Sequence, residues 1–350
     1  MHDYKKYLIN ENKNVKEALV QLNSLATEGA IVFLVDKRDI LIGSITDGDI
    51  RRGFIKGLDL NSSLRDFIQL NPIYLIQGEN SPAKFKEYRE HKIKIVPVLD
   101  AEKRIVDVIN MEVHRSLLPL DALIMAGGEG KRLRPLTEKT PKPLLKIGDK
   151  PIIEYNVDRL VSYGIKNISI SLNYLGEQIE AYFGNGSAKN FRVQYLWEKE
   201  ALGTIGSAAL QTEWLHDYIL IMNSDLLTNI DFEDIFNEMM IQEADMIVAT
   251  VPYEVNIPYG VIEFDKKQIS GVVEKPTYTY YSNAGIYIIK KELLPLIPKH
   301  QHYNATDLIN ELGKHPNKKI SNYPIYGYWL DIGKHQDFEK AQLDLHSIKF

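Results

Sequence analysis

Short apolar runs separated by polar turns recur along the chain. In the first 118 residues they form a repeat. Ile31–Thr46 reads as strand, polar turn, strand, and Ile95–Asn110 reads the same way 64 residues on, with no gap. Helical spacing precedes each copy. Asn14–Leu25 places Val15, Ala18, Leu19 and Leu22 on one face, and Pro82–His91 is its counterpart. Further helical stretches are expected after each copy, at Asp47–Phe54 and Met111–Leu117. Two units of this size are too small to bury their apolar faces separately, so they are expected to pack together as one α+β domain over residues 1–118.

The pattern changes at Leu117–Asp121. Ala122–Met125 is a buried-strand run followed by a Gly-rich turn. Ile152–Tyr163 has helical periodicity and stops at Gly164. Ile168–Leu172, Tyr218–Met222 and Met246–Val251 are further strand-length apolar runs, with helical patterns between several of them. Strands alternating with helices predict an α/β domain over residues 119–350, built on a doubly wound sheet that binds its ligands beyond the carboxyl ends of the strands. The length of 350 residues also favours two domains, because single cores stop growing at about 250–300 residues.

Composition changes this picture little. The chain is 44% hydrophobic and 25% charged, with a formal net charge of −5, which gives no reason to expect nucleic acid or an anionic membrane as partner. It has no cysteine, which excludes disulfides, thiolate catalysis and Cys-based zinc sites. The polar start Met1–Lys6 lacks the apolar core of a signal peptide, and no apolar run approaches the roughly 20 residues that span a bilayer. A soluble, cytoplasmic protein is expected.

The candidate chemistry begins in the Gly-rich turn. Gly127-Gly128-Glu129-Gly130-Lys131-Arg132 follows a predicted strand, and its glycines let backbone N–H groups approach a phosphate. Arg132, Arg134 and Lys142 concentrate positive charge nearby, as a triphosphate requires. The spacing is neither that of a P-loop nor that of a dinucleotide fingerprint. Gly127, Gly128, Gly130, Arg132, Leu133, Pro135, Leu136, Thr137, Pro141, Lys142 and Pro143 together form a string that resembles the signature of the sugar-1-phosphate nucleotidylyltransferases.

The resemblance continues downstream and implies a Rossmann-like doubly wound mixed sheet. It implies that Ala126, Gly127, Gly128, Gly130, Lys131, Arg132, Asn173, Gly203 and Thr204 bind nucleotide, and that Arg132, Lys142 and Asp225 are catalytic. Asn223-Ser-Asp225 and Trp329-Leu-Asp331 resemble the segments whose aspartates, here Asp225 and Asp331, hold Mg²⁺. Gly260, Glu274, Lys275 and Asn283 stand in segments similar to those that meet the sugar phosphate. Each residue has a plainer alternative: Asp225 as a turn cap, Glu274 and Lys275 as a solvated turn, Asp331 as a loop residue after Tyr326–Leu330, Asn173 as a turn former. The family reaction joins a nucleoside triphosphate to a sugar-1-phosphate and releases pyrophosphate. Its nucleophile is already anionic, so positioning and charge neutralisation replace a general base.

Asn173–Ile179 and Glu198–Thr204 look closer to mannose-1-phosphate guanylyltransferases, which favours GTP. The first domain resembles a CBS-domain pair, the module named after cystathionine β-synthase. That resemblance implies a regulatory nucleotide near Thr46 and Asp49, against the alternative that Thr46 caps a helix with Asp49 in its first turn. The second copy has Asn110 and Val113 at those positions and lacks the acid. The combination of domains resembles guanylyltransferases for glucosamine-1-phosphate in bacterial nonulosonic acid synthesis. Open alternatives are a thymidylyl- or uridylyltransferase for glucose-1-phosphate, a regulatory subunit that binds nucleotide sugar without turnover, and transfer to a non-sugar alcohol phosphate. Both resemblances make a homo-oligomer an expectation.

Overall fold

The computed structural model describes residues 4–78 and 82–348; Met1–Asp3, at the start of the polar opening segment, lie outside them. It divides into two units, Met1–Leu118 with Ser162–Gly164, and Pro119–Val161 with Ile165–Phe350.

In the first unit the starts of two helices are written into the sequence. The Asn14 side chain accepts the N–H of Glu17 (2.9 Å), and the Glu17 carboxylate accepts the N–H of Asn14 (3.0 Å). This reciprocal cap opens α1 (Val15–Ser24), and Thr46 with Asp49 builds the same cap for α2 (Asp47–Ile55). Strands β1 (Leu8–Asn10), β2 (Ile31–Val35) and β3 (Leu41–Thr46) form one sheet. Strand β4 (Leu75–Ile76), helix α3 (Pro82–Glu90) and strands β5 (Ile95–Leu99) and β6 (Ile105–Asn110) repeat it. In both copies the first strand runs parallel to the second and the third antiparallel to it.

The repeat extends to single atoms. Asp36 Oδ1 accepts the N–H groups of Arg38 and Ile40, and Asp100 Oδ1 accepts those of Glu102 and Arg104. The two hairpin turns then pair reciprocally: Leu41 N–H donates to Lys103 O (3.1 Å), and Ile105 N–H donates to Asp39 O (3.0 Å). One core joins both copies, with Phe33, Leu34 and Ile45 packed with Leu99, Ile105 and Val108. One sequence expectation fails here. Met111–Leu117 is not a helix but a single turn followed by extended chain. Asn110 O accepts the N–H groups of Val113 and His114 and lies 3.1 Å from His114 Nδ1, and Val113 stands where an acid closes the reciprocal cap in the first copy.

The second unit is built on seven strands. Strands β7 (Leu120–Met125), β10 (Asn167–Leu172), β11 (Arg192–Trp197) and β12 (Tyr218–Asn223) are mutually parallel, with β7 central. Between β7 and β10 come the small pair β8 (Lys146–Ile147) and β9 (Lys150–Pro151) and helix α4 (Ile152–Ser162). Helix α5 (Gly176–Phe183) joins β10 to β11. After β12 follow β13 (Leu226–Thr228), α6 (Phe232–Ile241) and β14 (Met246–Asn256), then the hairpin β15 (Val261–Asp265) and β16 (Gln268–Val273), then β17 (Thr277–Lys290). The chain continues through α7 (Ala305–Leu312), β18 (Ile320–Pro324), β19 (Trp329–Asp331) and α8 (His335–Asp344). The large sheet runs β11-β10-β7-β12-β17-β14-β18, with β17 antiparallel to both its neighbours, so it is a mixed α/β sheet.

Leu123, Ile219 and Ile221 are fully buried against Leu308 and Leu312 of α7. Burying one such side chain stabilises the fold by about 1.5–3 kcal/mol. The second unit also encloses a charge. Asp121, fully buried in β7, accepts the N–H groups of Leu215 (2.6 Å) and His216 (3.0 Å), and contacts Asn167 Nδ2 (3.0 Å) and His216 Nδ1 (2.8 Å). Burial opposes its ionisation, but the hydrogen bonds from His216 and Asn167 outweigh that and hold the carboxyl below its ordinary range. Beyond the sheet, β14 and β17 run on as a two-stranded arm, Pro252–Asn256 against Thr277–Tyr281, and the β15–β16 hairpin lies between them in sequence. Tyr253, Tyr259, Phe264, Tyr280 and Tyr281 on this arm are exposed. No helix among the described residues is long and apolar enough to cross a membrane.

Candidate active site

Four parallel strands end at one place. The residues just past β7 are Gly127–Arg132, Asn173 follows β10, Glu198 follows β11, and Ser224 and Asp225 follow β12. Together they line a cavity of about 750 Å³. This is the carboxyl-edge crevice that the topology of a doubly wound sheet creates.

The Gly-rich turn is fixed from several sides. Gly130 adopts a left-handed conformation (φ 63°), and a Cβ there would lie 3.0 Å from both Lys142 Cβ and Thr137 Cγ2. The buried Thr137 hydroxyl donates to Gly130 O (2.9 Å), which gives the motif threonine its role as a clasp. A Cβ on Gly127 would come within 3.3 Å of Asn173 Cβ and of Glu198 Oε1. Asn173 Nδ2 donates to Glu198 O (3.1 Å), tying the β10 and β11 ends together. Opposite them, Thr204 N–H donates to Asn304 Oδ1 (3.1 Å) and Ala305 N–H donates to the Thr204 hydroxyl (2.9 Å).

The two aspartates meet through a small sheet. Strand β13 pairs antiparallel with β19, Leu226 opposite Asp331, and Ile332 N–H donates to Asp225 O (3.1 Å). Asp331 is therefore the last residue of a strand and not the loop residue that its surroundings in sequence also allowed. From α4, Asn156 Nδ2 donates to Ser224 O (3.3 Å) and Leu226 O (3.0 Å), clamping the backbone on both sides of Asp225. The Lys142 ammonium is in contact with Asp225 Oδ2 and lies 3.9 Å from Asp331 Oδ1. The Oδ1 atoms of both aspartates are buried without a hydrogen-bond partner. Burial, together with the Asp225 charge, pushes the Asp331 carboxyl upward, against the pull of Lys142 and Arg132. The Arg132 guanidinium lies against Gly333, two residues beyond Asp331.

The cavity thus gathers Gly127, Gly128, Gly130, Lys131, Arg132, Lys142, Asn173, Gly203, Thr204 and Asp225 from the sequence-derived set, with Asp331 beside Lys142. Ala126 is buried behind it, its N–H donated to Ser171 O (3.1 Å). Gly260, Glu274, Lys275 and Asn283 are not among its lining residues. Gly260 and Glu274 do come together on the arm, where a Cβ on Gly260 would lie 2.9 Å from Glu274 Oε2. Asn283 Oδ1 accepts Gly285 N–H and the Tyr287 hydroxyl, each at 2.9 Å. Thr46 and Asp49, in the first unit, are engaged in their helix cap, and Asp49 also pairs with Arg52 (2.6 Å).

Two residues escaped the sequence-derived set. Glu198 lines the cavity with its carboxylate accepting Leu202 N–H (3.1 Å), and burial raises its pKa against that bond and one from Ser171. Its signal was positional: it is the first residue past a strand, in register with Asn173. Asn156 had no signal, being one polar residue on an amphipathic helix.

Residues 121–348 match the nucleotidyl transferase family. The chain belongs to that family. It is similar to a mannose-1-phosphate guanylyltransferase catalytic subunit beta of Danio rerio, 31% identical over 229 residues, 63% of this chain and 62% of that protein. It is also similar to a mannose-1-phosphate guanylyltransferase of Mycobacterium tuberculosis, 28% identical over 231 residues, 65% of this chain and 64% of that protein. The chain thus spans less than two thirds of the length of these curated relatives. Its fold matches the crystal structure of a putative glucose-1-phosphate thymidylyltransferase from Bacillus anthracis with a TM-score of 0.54, at 24% identity over 66% of this chain and 97% of that one. The nucleotidyl transferase match begins at Asp121, so the strand-end cavity lies wholly inside it and residues 1–118 lie outside it.

Proposed function

We propose that this nucleotidyl transferase moves a nucleoside monophosphate from GTP to a sugar-1-phosphate of the glucosamine or mannose class, releasing pyrophosphate and leaving an NDP-sugar. The observation that carries the reading is the meeting of Arg132, Lys131 and Lys142 with a glycine turn and Asp225 in one cavity, with Asp331 beside Lys142. The reaction brings two anions together, and these groups supply the neutralisation and alignment it needs. Arg132 takes the leaving pyrophosphate, and Lys142 takes the transferring phosphate. Lys275 meets the sugar phosphate, with Gly260, Glu274 and Asn283 at the sugar hydroxyls. Asp225 and Asp331, whose buried Oδ1 atoms lack partners, fit Mg²⁺, a hard cation that would lower the charge on the phosphate oxygens.

Glu198 favours guanine. A carboxylate accepts from the two adjacent donors on guanine's Watson–Crick edge, whereas uracil and thymine offer one donor flanked by repelling carbonyls. The names of the guanylyltransferase relatives support the same choice. Pyrophosphate release across four NTPs and glucose-, mannose-, glucosamine- and N-acetylglucosamine-1-phosphate tests it. GTP is expected to be the best donor, and Glu198→Gln is expected to lower kcat/KM for GTP by about 10²-fold relative to UTP. UTP or dTTP as the preferred donor of the unaltered protein would exclude the guanylyl reading.

The sheet repeat of the first unit supports its reading as a CBS pair, and we propose with it that a nucleotide near Thr46 and Asp49 modulates turnover. A nucleotide bound at Thr46 would compete for the hydroxyl that now donates to Asp49.

A further inference from the structure

Lys142 faces two carboxylates with a single charge. Its ammonium contacts Asp225 Oδ2, stands 3.9 Å from Asp331 Oδ1, and is almost wholly buried. Each aspartate keeps one buried oxygen that nothing in the protein satisfies. The cluster therefore has more acceptor capacity and more negative charge than one ammonium uses. Lys142 also lines the cavity itself, on a flexible four-carbon stem. An ammonium and a divalent cation cannot share Asp225 Oδ2, because like charges at contact distance repel strongly in a poorly solvated site.

We propose that Lys142 is a stand-in cation. In the nucleotide-free protein it holds Asp225 and keeps divalent cations off the carboxylate pair. When triphosphate enters, the phosphates give the ammonium a new partner, and its departure frees both aspartates. Divalent cation and nucleotide then bind with positive coupling, each favouring the other. This inference rests on the reading of Asp225 and Asp331 as the metal carboxylates.

The test is Mn²⁺ binding to the full chain without nucleotide, followed by the electron paramagnetic resonance of free Mn²⁺. Lys142→Gln is expected to bind Mn²⁺ at least about fivefold tighter than the unaltered protein, because a competing positive charge is gone. Lys142→Arg keeps the charge and should stay near the unaltered affinity, and adding Asp225→Asn to Lys142→Gln should lose the binding gained. If Lys142→Gln folds poorly, its melting temperature supplies a second readout. Mn²⁺ should raise it markedly while barely moving that of the unaltered protein, since two uncompensated carboxylates regain a cation. Equal or weaker Mn²⁺ binding by Lys142→Gln than by the unaltered protein, with the added Asp225→Asn still lowering it, would overturn the stand-in role alone. Unchanged Mn²⁺ binding on adding Asp225→Asn to Lys142→Gln would overturn the metal reading with it.

Discussion

Replacing Asp225 with asparagine should lower turnover by about 10²–10³-fold, comparable to removing one preorganised donor to a developing oxyanion, because the proposed Mg²⁺ would lose a charged ligand. The residue is positioned for chemistry on three sides. Asn156 clamps the backbone before and after it, Ile332 N–H holds its carbonyl, and Lys142 contacts its carboxylate. Asparagine preserves the shape and all the backbone bonds, so the fold should survive. Its loss is one unit of negative charge between Lys142 and Asp331. Pyrophosphate release measured beside a thermal melt separates the two effects. Near-normal turnover, or a melting temperature that falls with it, would remove Asp225 from the catalytic set.

The largest stability effect should come from a residue outside the active site. Asp121→Ala leaves the N–H groups of Leu215 and His216 and the Asn167 amide without their buried acceptor. Stranding buried donors costs about 1–3 kcal/mol each where no water reaches them, so a total on the order of 3 kcal/mol is expected. For a unit of this size that lowers Tm by about 6–12 °C. The effect has a pH signature. The folded-state pKa of Asp121 lies below its unfolded value, so its contribution is fully present above the unfolded pKa of about 3.9 and fades as pH falls through the folded value. The gap in Tm between the unaltered protein and Asp121→Ala should therefore narrow below about pH 4. A gap that persists unchanged at pH 3, or no gap at pH 7, would contradict this account.

The residues singled out in the sequence and the candidate site divide by how local their signals are. The Gly-rich turn was legible because its constraint is carried by the chain itself: Gly130 needs a left-handed backbone, and Thr137, seven residues on, clasps its carbonyl. Thr46 and Asp49 were legible as a helix cap for the same reason, since both partners lie within one turn. Glu198 and Asn156 were not legible. Glu198 matters because β11 lies beside β10, and Asn156 because α4 passes behind the residues flanking Asp225. The failed helix at Met111–Leu117 marks the limit of periodicity, because a helical spacing without a closed cap stops after one turn.

The sequence alone determined the repeat of the first unit, the strand runs of the second, and the Gly-rich turn after β7. All of these rest on interactions between near neighbours in the chain or on the period at which apolar residues recur. Tertiary structure alone decided that β17 enters the sheet antiparallel, that Lys142 reaches across to Asp225 and Asp331, and that Asp121 is a buried acceptor. It also set Gly260 and Glu274 together on an arm and not along the cavity lining. Those features join residues tens to hundreds of positions apart, and their energies depend on burial, which no local pattern encodes.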